Sequence, residues 1–221
     1  MTRLLVLTVS PRGEISRSRA AAAQITAALA ARLAGLSLVE RDLGHTPPPY
    51  PDAAFVAASL TPPDARSPAQ HQALAFADGL IAELDTADLV LIATPMHNYT
   101  VPASLKAWID HVVRPHATFR STPAGKVGLL ADRPVLAVIA CGGPVGEGEG
   151  LQRDFLSPYL TYTLGTIGLK NIEILRLDRL ARGEEAVATA QAELALWIER
   201  QVARLAPGAM VPAERKRAAK S

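Results

Sequence analysis

The strongest constraint on how this chain folds is an alternation of two pattern lengths, short apolar runs separated by longer stretches of helical period. Leu4–Val9 is apolar apart from Thr8 and stops at Ser10-Pro11-Arg12-Gly13. Leu36–Leu43, Asp88–Thr94, Pro134–Ala140 and Asn171–Leu177 are the other strand-like runs. Between them, Arg19–Leu36 sets Ala22, Ile25, Leu29 and Leu33 three to four residues apart, which places them on one helix face. Ala69–Leu84, Ala103–Val113, Gln152–Leu164 and Glu184–Leu205 read the same way, the last with Ala190, Leu194, Trp197 and Val202 in one stripe. Near-continuous apolar runs are the mark of strands buried on both faces, so the pattern predicts an α/β fold: a parallel sheet with helices on both sides.

Composition admits such a fold and removes other classes. At 221 residues, 49% hydrophobic and 20% charged, the chain can bury a continuous core without disulfides or structural metals. One cysteine leaves no internal disulfide and no cysteine-based zinc site. The five histidines form no His-x-x-x-His pair, and His111 and His116 are separated by Pro115, so no metal site is expected. The net charge of +2 is a property of the C-terminus, where Arg215, Lys216, Arg217 and Lys220 face Glu214 alone; the tail is +3 and the rest −1. The expectation is one domain over 1–206, a basic solvated tail over 207–221 and no nucleic-acid partner. No apolar run approaches the ~18 residues of a membrane span. The opening Met1–Ser10 is short for a signal peptide and no cleavage site follows, so the expected location is cytoplasmic.

Ligands of open parallel sheets bind beyond the carboxyl ends of the strands, where strand order reverses. Three loops there carry unusual residues. After the first strand, Ser10, Ser16 and Ser18 supply hydroxyls ahead of a helix, Ser16 or Ser18 is its N-cap, and Arg12, Arg17 and Arg19 add cationic charge. With the helix dipole this suits one terminal phosphate. Neither Gly-x-Gly-x-x-Gly nor a Walker lysine is present, which removes the dinucleotide cradle and the P-loop. After the third strand, Thr94-Pro95-Met96-His97-Asn98-Tyr99 offers backbone amides and a flat apolar surface to a planar ring. After the fourth, Ala140-Cys141-Gly142-Gly143 gives two glycines suited to positive φ and close backbone approach. The proline-rich His45–Pro68 connection, without strand or long-helix signal, reads as a lid or a dimer contact.

In order and spacing these segments resemble the FMN-dependent NADH:azoreductase and quinone-reductase family. The matching pieces are Ser10-x5-Ser16-x-Ser18, Pro95-Met96-His97-Asn98-Tyr99, Leu105-Lys106-x-Trp108-Ile109-Asp110, Thr118-Phe119-Arg120-x-Thr122-x-x-Gly125 and Gly142-Gly143. The resemblance implies a flavodoxin-like five-stranded parallel sheet of order 2-1-3-4-5 and a homodimer with one FMN per subunit near the interface. It also implies NADH or NADPH as donor and a quinone or azo compound as acceptor, served in turn. Ser10, Ser16, Arg17 and Ser18 match the phosphate side. Pro95, Met96, His97, Asn98 and Tyr99 match the segment against the ring and ribityl chain, and Ala140, Cys141, Gly142 and Gly143 the third flavin loop. Phe119 and Arg120 are the expected substrate-binding pair. The chain departs from the pattern at Ala140-Cys141, where the family commonly has Ser-Arg, at His97 in place of Tyr, and at Ser121 in place of an aromatic. His97 is the candidate proton donor to the acceptor, beside solvent.

Two other readings stand beside this one. Ala140-Cys141-Gly142-Gly143-Pro144 is similar to the nucleophile turn of Cys-dependent α/β hydrolases and glyoxalase-like proteins, which would need a base such as His45, His71, His97, His111 or His116 within reach. The second is a flavodoxin-type electron carrier without its own turnover.

Overall fold

The computed structural model describes residues 1–205; the basic tail expected over 207–221 lies outside them. Its strands are β1 (Arg3–Thr8), β2 (Ser37–Asp42), β3 (Leu89–Pro95), β4 (Phe119–Thr122), β5 (Gly125–Gly128), β6 (Val135–Ala140) and β7 (Ile172–Leu177). Its helices are α1 (Arg17–Arg32), α2 (Ala53–Leu60), α3 (Pro68–Thr86), α4 (Ala103–Val112), α5 (Leu156–Thr166) and α6 (Glu184–Leu205). β2-β1-β3-β6-β7 form one parallel sheet, the order expected from the sequence. β4 and β5 pair as a separate antiparallel hairpin that the apolar pattern did not announce.

Period-two alternation along the central strands sorts the core into two layers. Leu5 and Leu7 of β1, Val90 and Ile92 of β3, and Val135, Ala137 and Ile139 of β6 pack with α3, α4 and α5. Leu4 and Val6, Leu89 and Leu91, and Leu136 and Val138 pack on the other face with α1 and α6. The edge strands differ from the continuous apolar runs expected of all five: β2 alternates half-buried and exposed residues, and β7 is half-buried over most of its length. An edge strand has only one flanking strand and partial helix cover, which leaves room for Glu40, Arg41, Glu173 and Arg176.

Helix ends follow local chemistry. Ser67 and Gln70 close a capping box on α3, with Pro68 in its first turn. The same helix ends against Arg133, whose guanidinium donates to the carbonyls of Leu84, Asp85 and Ala87 at 2.6–2.8 Å. Those carbonyls have no intrahelical partner, so the buried arginine is their cap. α5 starts later than the expected Gln152, because Asp154 Oδ1 accepts the Ser157 amide (2.8 Å) and holds the preceding residues in a loop.

The proline-rich connection is folded rather than structureless. Asp52 accepts the Phe55 amide at 2.8 Å and starts α2, which packs Phe55 and Ala58 on Leu74 and Ala77 of α3. His111, buried in α4, donates from Nε2 to the Pro49 carbonyl at 2.8 Å. Its ring stands edge-on to Phe55 (4.8 Å) and Phe76 (5.3 Å), so one imidazole joins connection, α3 and α4.

Candidate active site

β1, β3 and β6 are neighbours in the sheet and run the same way, so the loops that follow them emerge side by side. Backbone bonds continue the pairing past the strand ends: Val9 N to Ala93 O (3.0 Å), Met96 N to Ala140 O (2.9 Å) and Cys141 N to Leu177 O (2.8 Å). The chain leaves β1 towards β2 and returns to β3 on the other side, which makes β1/β3 the switch point where a ligand fits.

At the β1 end, Ser10, Ser16 and Ser18 are all buried, at 2%, 3% and 1% exposure. Ser16 is the N-cap of α1; its hydroxyl accepts from the Arg19 amide and lies 3.2 Å from Ser18 Oγ. With Arg19 capped and Ala20 bonded to Ser16 O, the amides of Arg17 and Ser18 are the outward donors at this helix start. Arg17 is exposed and able to reach an anion. Arg19 is not the free cation expected from the sequence. Its Nε donates to Ser10 O (2.8 Å), and its guanidinium grips both oxygens of Asp42, with Nη1–Oδ2 at 2.8 Å. Burial alone would raise the Asp42 pKa, but hydrogen bonds from Arg19 and His45 outweigh it and hold this carboxyl well below the usual range. Arg19 is therefore a strut between Ser10 and the end of β2. Gly44 completes that strut: a Cβ there would sit 2.6 Å from Ser10 C and 2.8 Å from Arg19 Nη2.

After β3, His97 and Thr100 exchange backbone hydrogen bonds at 3.0 Å in both directions. Asn98 and Tyr99 between them have φ of 47° and 71°, the two left-handed central residues of a type I′ turn. Asn tolerates this conformation; a tyrosine there carries backbone strain of about 1–3 kcal/mol. The turn holds Tyr99 half exposed, and its carbonyl accepts the Phe155 amide at 3.1 Å, tying this loop to the segment before α5. α4 starts behind Pro102 without a side-chain cap.

At the start of the β6 loop, neither Gly142 nor Gly143 adopts the positive φ that a glycine permits. A Cβ on Gly142 would meet only Ala181, whereas one on Gly143 would fall 2.9 Å from Gln152 Nε2, so the space at Gly143 is filled by a side chain of this same molecule. Cys141 is 1% exposed, and burial, reinforced by the charges of Asp154 and Asp178, pushes its thiol up to about 12. A thiol so protonated and enclosed cannot serve as nucleophile at neutral pH.

Two hollows open on these loops. One, of about 200 Å³, is lined by Met96, Asn98 and Tyr99 from the β3 side and by Cys141, Gly142 and Gly143 from the β6 side. A shallower one of about 460 Å³ lies between Tyr99, Leu151 and Phe155. Tyr99 and Gln152 border both, so the two adjoin. His97 and Pro95 shape the turn without lining either hollow, and Ala140 is the last residue of β6. Phe119 and Arg120 are elsewhere: they start the β4–β5 hairpin, opposite Gly128 and Val127, and Gly128 abuts Ile167 and Gly168 past the C-terminus of α5. The 11-residue α5 separates that contact from Phe155 by about 16 Å. Gln152 went unnoticed in the sequence because a lone glutamine after a glycine-rich stretch carries no motif.

Residues 2–202 match the model of a family described by its flavodoxin-like fold. The chain belongs to this flavodoxin-like family. Within it, a protein of Cupriavidus pinatubonensis named FMN-dependent NADH:quinone oxidoreductase 2 is 55% identical over 197 residues, covering 89% of this chain and 96% of the relative. FMN-dependent NADH:quinone oxidoreductase 4 of Pseudomonas fluorescens is 46% identical and covers 85% and 89%. Among solved structures, an azoreductase from Bacillus anthracis superposes with a TM-score of 0.80 at 25% identity, covering 90% of this chain and all of that one.

Proposed function

We propose that the protein is an FMN-dependent oxidoreductase that takes electrons from NADH or NADPH and delivers them to a quinone or an azo compound. The observation that carries this reading is the convergence of the serine cluster, the strained 97–100 turn and the Gly142-Gly143 loop on three adjacent parallel strands, in a flavodoxin-like chain 55% identical to an FMN-dependent quinone reductase. The residues fit the cofactor. Buried Ser10, Ser16 and Ser18 and the outward amides of α1 suit a phosphate, and the hollow between Met96, Tyr99 and Gly142 suits a planar ring. FMN bound there supplies two-electron transfer; the protein binds, orients and sets the electrostatics. Exposed Tyr99, Leu151 and Phe155 form a largely apolar landing place for donor and acceptor in turn, which Arg153 also lines. His97 is exposed and remains the candidate proton donor beside solvent.

The same proposal includes a homodimer, supported by exposed Tyr50, Val56 and Leu60 around the proline-rich connection. Exposed Arg120 then serves substrate from a second copy's side of the interface, with Phe119 buried behind it. A cytoplasmic location and a single domain over 1–206 belong to it too. Neither alternative reading is favoured: Cys141 is enclosed and protonated, and the relatives are named as reductases. The test is reconstitution with FMN followed by NADH- and NADPH-dependent reduction of a benzoquinone and an azo dye. Protein that binds FMN but oxidises neither donor would overturn the enzymatic reading.

A further inference from the structure

Gln152 is the one side-chain amide shared by both hollows and standing on the β6 loop. Its backbone is pinned from both sides, Gln152 N to Pro144 O at 2.9 Å and Gly146 N to Gln152 O at 3.0 Å. The loop that carries it is held in turn by Asp178, which accepts the Val145 amide at 2.9 Å. Its side chain lies across Gly143, with Nε2, Cδ and Oε1 at 2.9, 3.0 and 3.2 Å from where a Cβ would be. Neither amide atom has a hydrogen-bond partner among the described residues. A polar group fixed at its root and unpartnered at its tip, facing a hollow, is placed to bond whatever fills that hollow.

Among the residues of this loop that border the smaller hollow, no other side chain supplies such a bond; Arg153 borders only the shallower one. Ala140 has no polar group, the Cys141 thiol is enclosed, and Gly142 and Gly143 offer backbone only. We propose that Gln152 is the residue that sets the polarity of the β6 side of the flavin site: its uncharged amide is the side-chain hydrogen bond this loop gives to the ring, and Gly143 is glycine in order to seat it. This rests on the FMN reading above and extends it. A neutral amide favours the negative charge of the reduced ring less than a cation would and more than a carboxylate would. Gln152 thus tunes how strongly the bound cofactor holds its electrons, and so which acceptors it can reduce.

The experiment measures FMN affinity by fluorescence quenching and the two-electron midpoint potential of bound FMN in wild type, Gln152→Ala, Gln152→Glu and Gln152→Arg. Melting temperatures of the apo proteins check folding. Gln152→Ala is expected to weaken oxidised FMN about three- to tenfold. Gln152→Glu is expected to weaken the reduced form about tenfold more than the oxidised, a fall of about 30 mV, and Gln152→Arg to raise the potential by a similar amount. A merely structural glutamine would shift Glu and Arg variants in the same direction. Gly143→Ala, whose methyl displaces only the flexible amide, is expected to mimic Gln152→Ala and to add little to it in the double variant. If wild type fails to bind FMN, the flavin reading itself is lost. If wild type binds and the Glu and Arg variants keep its potential, or move it the same way, the Gln152 inference alone is overturned.

Discussion

Gly44 lies outside every loop expected to touch a ligand, yet replacing it should disable the phosphate end of the site. Its backbone is pressed against Ser10, so an added Cβ would stand 2.6 Å from Ser10 C and 2.8 Å from Arg19 Nη2, where ordinary contact begins near 3.4 Å. Ser10 O would be nearer still. Relief requires the backbone of Ser10 to retreat by about 1 Å, and the arginine behind it is already fixed by Thr8, Ser10 and Asp42. Overpacking of this kind costs about 1–3 kcal/mol, a fall in melting temperature of about 2–12 °C for a chain of this size. Because the retreat displaces one wall of the anion site, FMN affinity should fall about tenfold to a hundredfold. Gly79→Ala is the internal control. It makes the same chemical change in the interior of α3, where nothing lies within 4 Å, and should stabilise by about 0.5–1 kcal/mol with FMN binding unchanged. Thermal melting of apo protein and fluorescence titration with FMN read both. A Gly44→Ala variant with wild-type melting and wild-type affinity would refute the strut between the β2 turn and Ser10.

Other outcomes follow from the same geometry. Tyr99→Gly removes left-handed strain and little burial, so the apo protein should melt about 2–4 °C higher, from about 1 kcal/mol, while FMN binding weakens. A lower melting temperature counts against strain at Tyr99. Asp42 has a folded pKa below its unfolded value near 3.9, so its contribution is complete above about pH 5, begins to fall near pH 4 and is fully lost only below the depressed folded value. Asp42→Asn should cost about 1 kcal/mol at pH 7, discounted because the carboxylate is a third exposed. That gap should narrow steadily as pH is lowered from about 5 to about 2 in urea melts; a gap independent of pH rejects the ion-pair account. Cys141, with its thiol pushed up to about 12, should resist thiol reagents at pH 8 until the protein unfolds, and Cys141→Ser should retain quinone reduction. Rapid labelling of folded protein contradicts this burial.

The central layer was readable because strands β1, β3 and β6 are covered on both sides and so carry near-continuous apolar runs. α6 was readable to its ends, Glu184 and Leu205, because its stripe is long and its first turn acidic. α2 was hidden by the prolines around it, although Asp52 behind Pro51 is a helix-start signal. The β4–β5 hairpin has four-residue strands with Arg, Lys, Thr and Gly in them, too short for alternation to register. At the site, Ser16 was legible as a cap because capping is local. Arg19 was misread as an anion ligand because its partner, Asp42, is 23 residues away and only parallel pairing of β1 with β2 brings the two together. The packing at Gly143 was likewise hidden, because the side chain lying across it, that of Gln152, comes from a separate stretch of the loop.

The two rims of the sheet bear on how copies of this chain can meet. β2 displays Glu40 and Arg41 on its outer run, with Arg41 committed to Glu83, and β7 displays Glu173 and Arg176, the latter committed to Asp154. Charged rims of this kind discourage edge-to-edge strand addition, the route by which open sheets polymerise. In the homodimer proposed above, association is thereby steered away from a continuous intermolecular sheet and onto helical and loop surfaces, where two copies would close as a pair and leave no growing end.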